Sequence, residues 1–165
     1  MRIVISLVLA IMFLIADEAN AQSKASEIFG NMKSLAGTWA VEGKEESNFR
    51  IDFELISNET VLVETWRRGS KKHSMTMYHL DGDTLLATHY CPQGNQPRLQ
   101  LSKTSTAQLL SFDFLDATNL PSMDNSHQHS LGFELDKTFN KLLRKESYLS
   151  KSGEKYDALH LIRKS

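Results

Sequence analysis

The stretch Met75–Leu101, "MTMYHLDGDTLLATHYCPQGNQPRLQL", decides how the chain is read. Apolar and polar residues alternate, stop at Asp81-Gly82-Asp83, and alternate again as far as Cys91. A second stop, "PQGNQP" at 92–97, sets a Gly-Asn pair between two prolines, and a new run begins at Arg98. A period of two is the signature of a strand, and Gly, Asn, Asp and Pro at the breaks supply turn geometry. Links this short join antiparallel neighbours, because parallel strands need a crossover of roughly a dozen residues or more. Strands over 72–80, 84–91 and 97–103 are therefore expected to form a meander.

The same grammar runs in both directions. Further strands are expected over 37–43, 48–57, 60–69, 107–116, 127–136, 139–149 and 155–164, with Ser57-Asn58-Glu59 and Ser152-Gly153-Glu154 as further turns. Only Ser23–Leu35 has helical spacing, with Ala25, Ile28, Phe29, Met32 and Leu35 on one stripe, Ser23 placed to cap its start and Gly37 just beyond its end. Ala117–Ser126, "ATNLPSMDNS", is the longest irregular piece, a surface connection or a lid over a barrel mouth. About ten antiparallel strands without crossover helices predict an all-β, up-and-down antiparallel β-barrel with a short N-terminal helix. Closure removes the exposed edges of such a sheet.

The chain opens "MRIVISLVLAIMFLIADEANAQ", with Arg2, an apolar run over Ile3–Ala16, and small residues at Ala19 and Ala21. This pattern predicts a signal peptide over 1–21 and a single domain over 22–165, exported to the periplasm or secreted. The apolar run falls short of the ~20 residues a membrane-spanning helix needs. Cleavage after Ala21 would leave 18 basic and 18 acidic residues. A neutral chain without a basic stripe excludes nucleic acid as a partner, and no cationic amphipathic segment remains to lie on a membrane. Cys91 is the single cysteine, so no internal disulfide can form and the fold rests on packing. A monomeric or weakly dimeric state is expected.

"LAGTW" at 35–39 sets Gly-x-Trp between the helix and the first strand. That resembles the opening of lipocalins and other calycins. The resemblance implies that Trp39 closes one barrel end and that an arginine of a late strand stacks across it, with Arg163 the first candidate and Arg144 the second. The "THYC…GNQPR" segment, with "HQH" at 127–129, is similar to a family of exported bacterial proteins that have a lipocalin-like barrel and no assigned activity. Barrels resembling the haem-binding nitrobindins use a late-strand histidine to hold iron, and His160 occupies such a place.

Residues two apart in a strand share a face. His89 and Cys91 form one such pair, and His127 and His129 another. Brought within about 4 Å of a common centre, they could hold zinc or copper. The alternative is a buried polar network in which these groups satisfy one another. Cys91 could also act as a nucleophile with His89 or His127 as base, using the amides of the 92–96 turn. Arg98, if it entered the barrel, would need Glu64 or Asp113 as partner and could receive a carboxylate; otherwise it forms a salt bridge on the rim. Tyr78, Tyr90 and Trp66 are expected in the barrel wall, and Met75, Met77 and Met123 could supply adaptable apolar lining.

The function expected is to bind a small, apolar or amphipathic molecule, with no cofactor implied. Affinity would come from apolar burial, and orientation from Glu64, His89, Tyr90, Cys91, Asn95, Arg98, His127 and His129. A metal- or cysteine-dependent enzyme built on the His89/Cys91/His127/His129 cluster, or a haem barrel using His160, is the alternative.

Overall fold

A computed structural model describes residues 24–164. The expected signal peptide and the Ser23 cap lie outside the described residues. A helix, α1, spans 24–33. Ten strands follow: β1 (Gly37–Val41), β2 (Phe49–Ile56), β3 (Val61–Arg68), β4 (Lys71–Asp81), β5 (Thr84–Tyr90), β6 (Gln96–Leu101), β7 (Leu109–Thr118), β8 (His127–Leu135), β9 (Lys141–Ser150) and β10 (Gly153–Arg163). Each pairs antiparallel with the next, and β10 pairs with β1 through Trp39↔Arg163, Ala40↔Ile162 and Val41↔Leu161, so the sheet closes into an up-and-down barrel.

Closure gives the barrel two unlike ends. The links at 57–60, 82–83, 102–108 and 136–140 lie at the end where β1 begins, and α1 packs across that end. Its apolar stripe Ala25, Ile28, Phe29 and Met32 is buried in the core, as helical spacing requires, and Leu35 is buried in the turn just beyond the helix, which ends two residues earlier than expected. Lys24 and Lys33 tie the helix to the rim, donating to the Lys103 carbonyl at 2.8 Å and pairing with Glu59 at 3.7 Å. Trp39 is fully buried beneath and donates from Nε1 to the Leu35 carbonyl at 2.8 Å. The Arg163 guanidinium lies 4.6 Å from the Trp39 ring centre and donates to the carbonyls of Ser34, Ala36 and Phe139. Arg163 thus joins the helix end, the Trp39 ring and the β8–β9 link in one clamp; Arg144 lies elsewhere.

The links at 42–48, 69–70, 91–95, 119–126 and 151–152 form the far end. Between the two ends, Trp39, Phe53, Phe133, Tyr78 and Phe112 meet edge-on or tilted, with ring centres 5.9 to 6.5 Å apart. Edge-to-face contact suits the ring quadrupoles and fills the middle of the barrel with apolar volume. Beyond Tyr78, towards the far end, the interior becomes polar.

Candidate functional site

The polar interior is built by strand alternation. β3 turns Leu62, Glu64 and Trp66 inward, β4 turns Thr76 and Tyr78, β5 turns Ala87 and His89, and β9 turns Leu142, Arg144, Glu146 and Tyr148. Charged residues in phase with buried apolar ones must meet one another inside. Arg144 is 2% exposed and Glu64 0%. Arg144 donates from Nε to Glu64 at 2.7 Å and from Nη1 to Glu146 at 2.9 Å, while its guanidinium carbon sits 4.7 Å from the Trp66 ring centre. Trp66 Nε1 donates to Glu64 at 2.5 Å, and the Tyr78 hydroxyl donates to the same carboxylate. Gln128 completes the set by donating from Nε2 to Glu146 at 2.8 Å.

The electrostatics follow from this geometry. Burial opposes charge on Arg144, but the two carboxylates outweigh it and hold the guanidinium more firmly protonated than usual. Burial likewise pushes Glu146 upward, yet Arg144 and Gln128 bring its carboxyl below the ordinary range. Tyr78 is pushed well up, first by burial and then by the Glu64 charge, so its hydroxyl stays a donor. His89, 3% exposed, accepts or donates at both nitrogens, to Thr76 Oγ1 at 2.9 Å and to Tyr148 Oη at 3.2 Å. Burial, then the Arg144 charge, lowers its pKa to about 4. The imidazole is therefore neutral at pH 7.

The "THYCPQGNQPRL" segment lies at the rim of this end. Cys91 and Asn95 close the turn, through Cys91 N–H to the Asn95 carbonyl at 3.2 Å and Gly94 N–H to the Cys91 carbonyl at 2.9 Å. Gly94 has a φ of 90°, which its lack of a Cβ permits. The 119–126 loop is laced to this turn: Asn119 donates to the Gly94 carbonyl at 2.7 Å, and Asn95 to the Ser126 carbonyl at 2.9 Å. Lys151 N–H donates to the Asp124 carbonyl at 2.9 Å, tying the same loop to the β9–β10 turn. The segment over Ala117–Ser126 is thus tied to both neighbouring turns at the far end, and β7 takes up its first two residues.

Several sequence-named residues stand outside the interior. Arg98 is on the outer face and pairs with Asp116, not with Glu64 or Asp113. Tyr90, out of phase with His89, is 46% exposed. Met75 and Met77 are out of phase with the buried Thr76 and Tyr78, and Met123 is exposed in the loop, so none lines the interior. His160 is exposed on β10 and does not enter the interior.

The two donor pairs do not converge either. His89 is held by Thr76 and Tyr148, whereas His127 and His129 pack against Phe114, with ring centres at 4.8 and 5.7 Å. Among the described residues no group of three or more His, Cys, Asp or Glu is placed to hold a metal ion. The Cys91 thiol is buried, which raises its pKa, and both His89 nitrogens are engaged with hydroxyls. A thiolate nucleophile is disfavoured in that setting.

Among the described residues five buried polar atoms have no partner: Arg144 Nη2, Gln128 Oε1, His127 Nε2, His129 Nδ1 and Asn95 Oδ1. His127, His129 and Asn95 stand out in the sequence as candidates, whereas Arg144, Glu146, Tyr148 and Gln128 do not stand out there as a set. The available signal was "LRKESY" at 143–148, where Arg144, Glu146 and Tyr148 keep step with apolar Leu142. No protein-family model matches the chain, and no curated protein matches it.

Proposed function

We propose that this chain is an exported, calycin-like barrel that holds a small, partly apolar molecule at the end remote from α1. Its polar end would meet Gln128 and His127 beside Glu146, and its body would lie along Trp66, Phe114 and Tyr148. One observation carries the reading: of the five buried atoms without a partner among the described residues, four lie at the far end, on the 91–95 link and the first residues of β8, and the fifth, on Arg144, is joined to them through Glu146 and Gln128. Leaving a buried donor or acceptor unpaired costs about 1–3 kcal/mol, and such groups in folded proteins are met by ordered water or by a ligand. An interior built only to be filled would place apolar side chains there, as the helix end does. Export is supported by the apolar opening and the small residues before Gln22. The Gly-x-Trp resemblance agrees with a ligand-carrying barrel as an analogy of fold.

The neutral fluorophore N-phenyl-1-naphthylamine tests the binding reading. One bound per chain is expected, with blue-shifted emission and energy transfer from tryptophan, because Trp66 borders the site. Emission unchanged from that in buffer would count against a binding barrel.

A further inference from the structure

The charge around Arg144 is unbalanced, and that imbalance bears on the ligand's polar end. Glu64 receives three donors, from Trp66, Tyr78 and Arg144. Glu146 receives two, from Arg144 and Gln128. Both side chains thus act as acceptors toward every group that touches them. Two carboxylates therefore face one guanidinium. His89 supplies no compensating charge, because its ring is neutral between Thr76 and Tyr148.

The unpartnered atoms lean the same way. Gln128 spends its Nε2 on Glu146, which leaves Oε1, an acceptor, beside that carboxylate. His127 Nδ1 lies 2.8 Å from the Asn125 carbonyl, which can only accept. Nδ1 therefore carries a proton, and in the neutral ring the free Nε2 is an acceptor. Asn95 Oδ1 is a third acceptor, against the donor Arg144 Nη2, while His129 Nδ1 can serve in either role. Both Gln128 and His127 are fully buried.

Resting on the binding function proposed above, we infer that the ligand's polar end is a protonated amine rather than a carboxylate. An ammonium brings three donors and one positive charge to a site short of both. A carboxylate would add a third negative charge and two more acceptors. This reverses the expectation attached to Arg98, whose guanidinium is outside and already paired with Asp116.

Calorimetric titration at pH 7 with matched n-butyl and n-octyl amines, alcohols and carboxylates separates the possibilities. The amines should bind about tenfold or more tighter than the alcohols of equal length, and the carboxylates weakest. Glu146→Gln should remove most of the amine's advantage over the alcohol of equal length. Carboxylate binding as tight as amine binding would overturn the inference while leaving the binding function standing. If none of the three classes binds, the polar end holds water only and both readings fall.

Discussion

Arg144 is the residue on which the account turns. Burying a guanidinium between two carboxylates is a poor way to stabilise a fold, because the desolvation of three charges offsets most of their attraction. Apolar side chains of similar volume would serve the core as well or better. The arrangement is more readily understood as an oriented set of donors and acceptors than as a structural rivet. Glu64 was visible in the sequence as an acidic residue inside an otherwise apolar strand, "VLVETW", whereas its true partner was not, because 80 residues separate Glu64 from Arg144. Local alternation shows that a charge points inward but says nothing about what it meets. His89 offers a test at the same scale. Its folded pKa of about 4 lies below the ordinary 6.5, so the unfolded chain takes up a proton first as pH falls. Stability should be full above about pH 6.5 and decline towards pH 4, by about 2 kcal/mol between pH 7 and pH 5. The lowered carboxyl of Glu146 loses its contribution only at lower pH, below the ordinary Glu value. Urea denaturation of wild type and His89→Gln at pH 7 and pH 5 should show a loss in the first and a much flatter response in the second. Parallel losses would mean that His89 is not the group responsible.

At the scale of elements, turn chemistry made the hairpins legible. Asp81-Gly82-Asp83 and Ser152-Gly153-Glu154 stand where β4–β5 and β9–β10 reverse, and Gly82 and Gly153 have φ values of 55° and 102°. Bulges were not legible, because they break the rule used to read faces. In β8 the register shifts between Gln128 and Ser130, which turns Gln128 inward to Glu146 although strict alternation from Leu131 would turn it out. A second shift, between Arg98 and Leu99, falls beside Arg98 on the outer face. Gly37 shows how closely one element constrains another: its φ is 133°, and a Cβ there would meet Arg163 Nη1 at 2.8 Å. Gly153 has a similar φ but open space around it. Both Gly→Ala changes incur backbone strain, and Gly37→Ala additionally displaces the clamp over Trp39. Its loss of stability in urea should exceed that of Gly153→Ala by about 1–2 kcal/mol. Equal losses would show that the clamp contributes little.

Taken whole, the molecule divides its labour between two ends. The helix end is apolar, covered by α1 and pinned by Arg163, which explains how a chain with one cysteine closes its barrel without a disulfide. Towards the far end lie the buried charges, the unpartnered atoms and the tied 119–126 loop. Fold class and strand order could be read from the chain because they follow from local periods and turns. The site could be read only in part, because it depends on which distant strands close on each other. The claim that this end holds a ligand is tested most directly by native mass spectrometry of the protein purified from its own host. The account predicts a chain beginning at Gln22 that carries one reproducible small molecule with a basic nitrogen, released on unfolding. A bare chain mass in repeated preparations would contradict it.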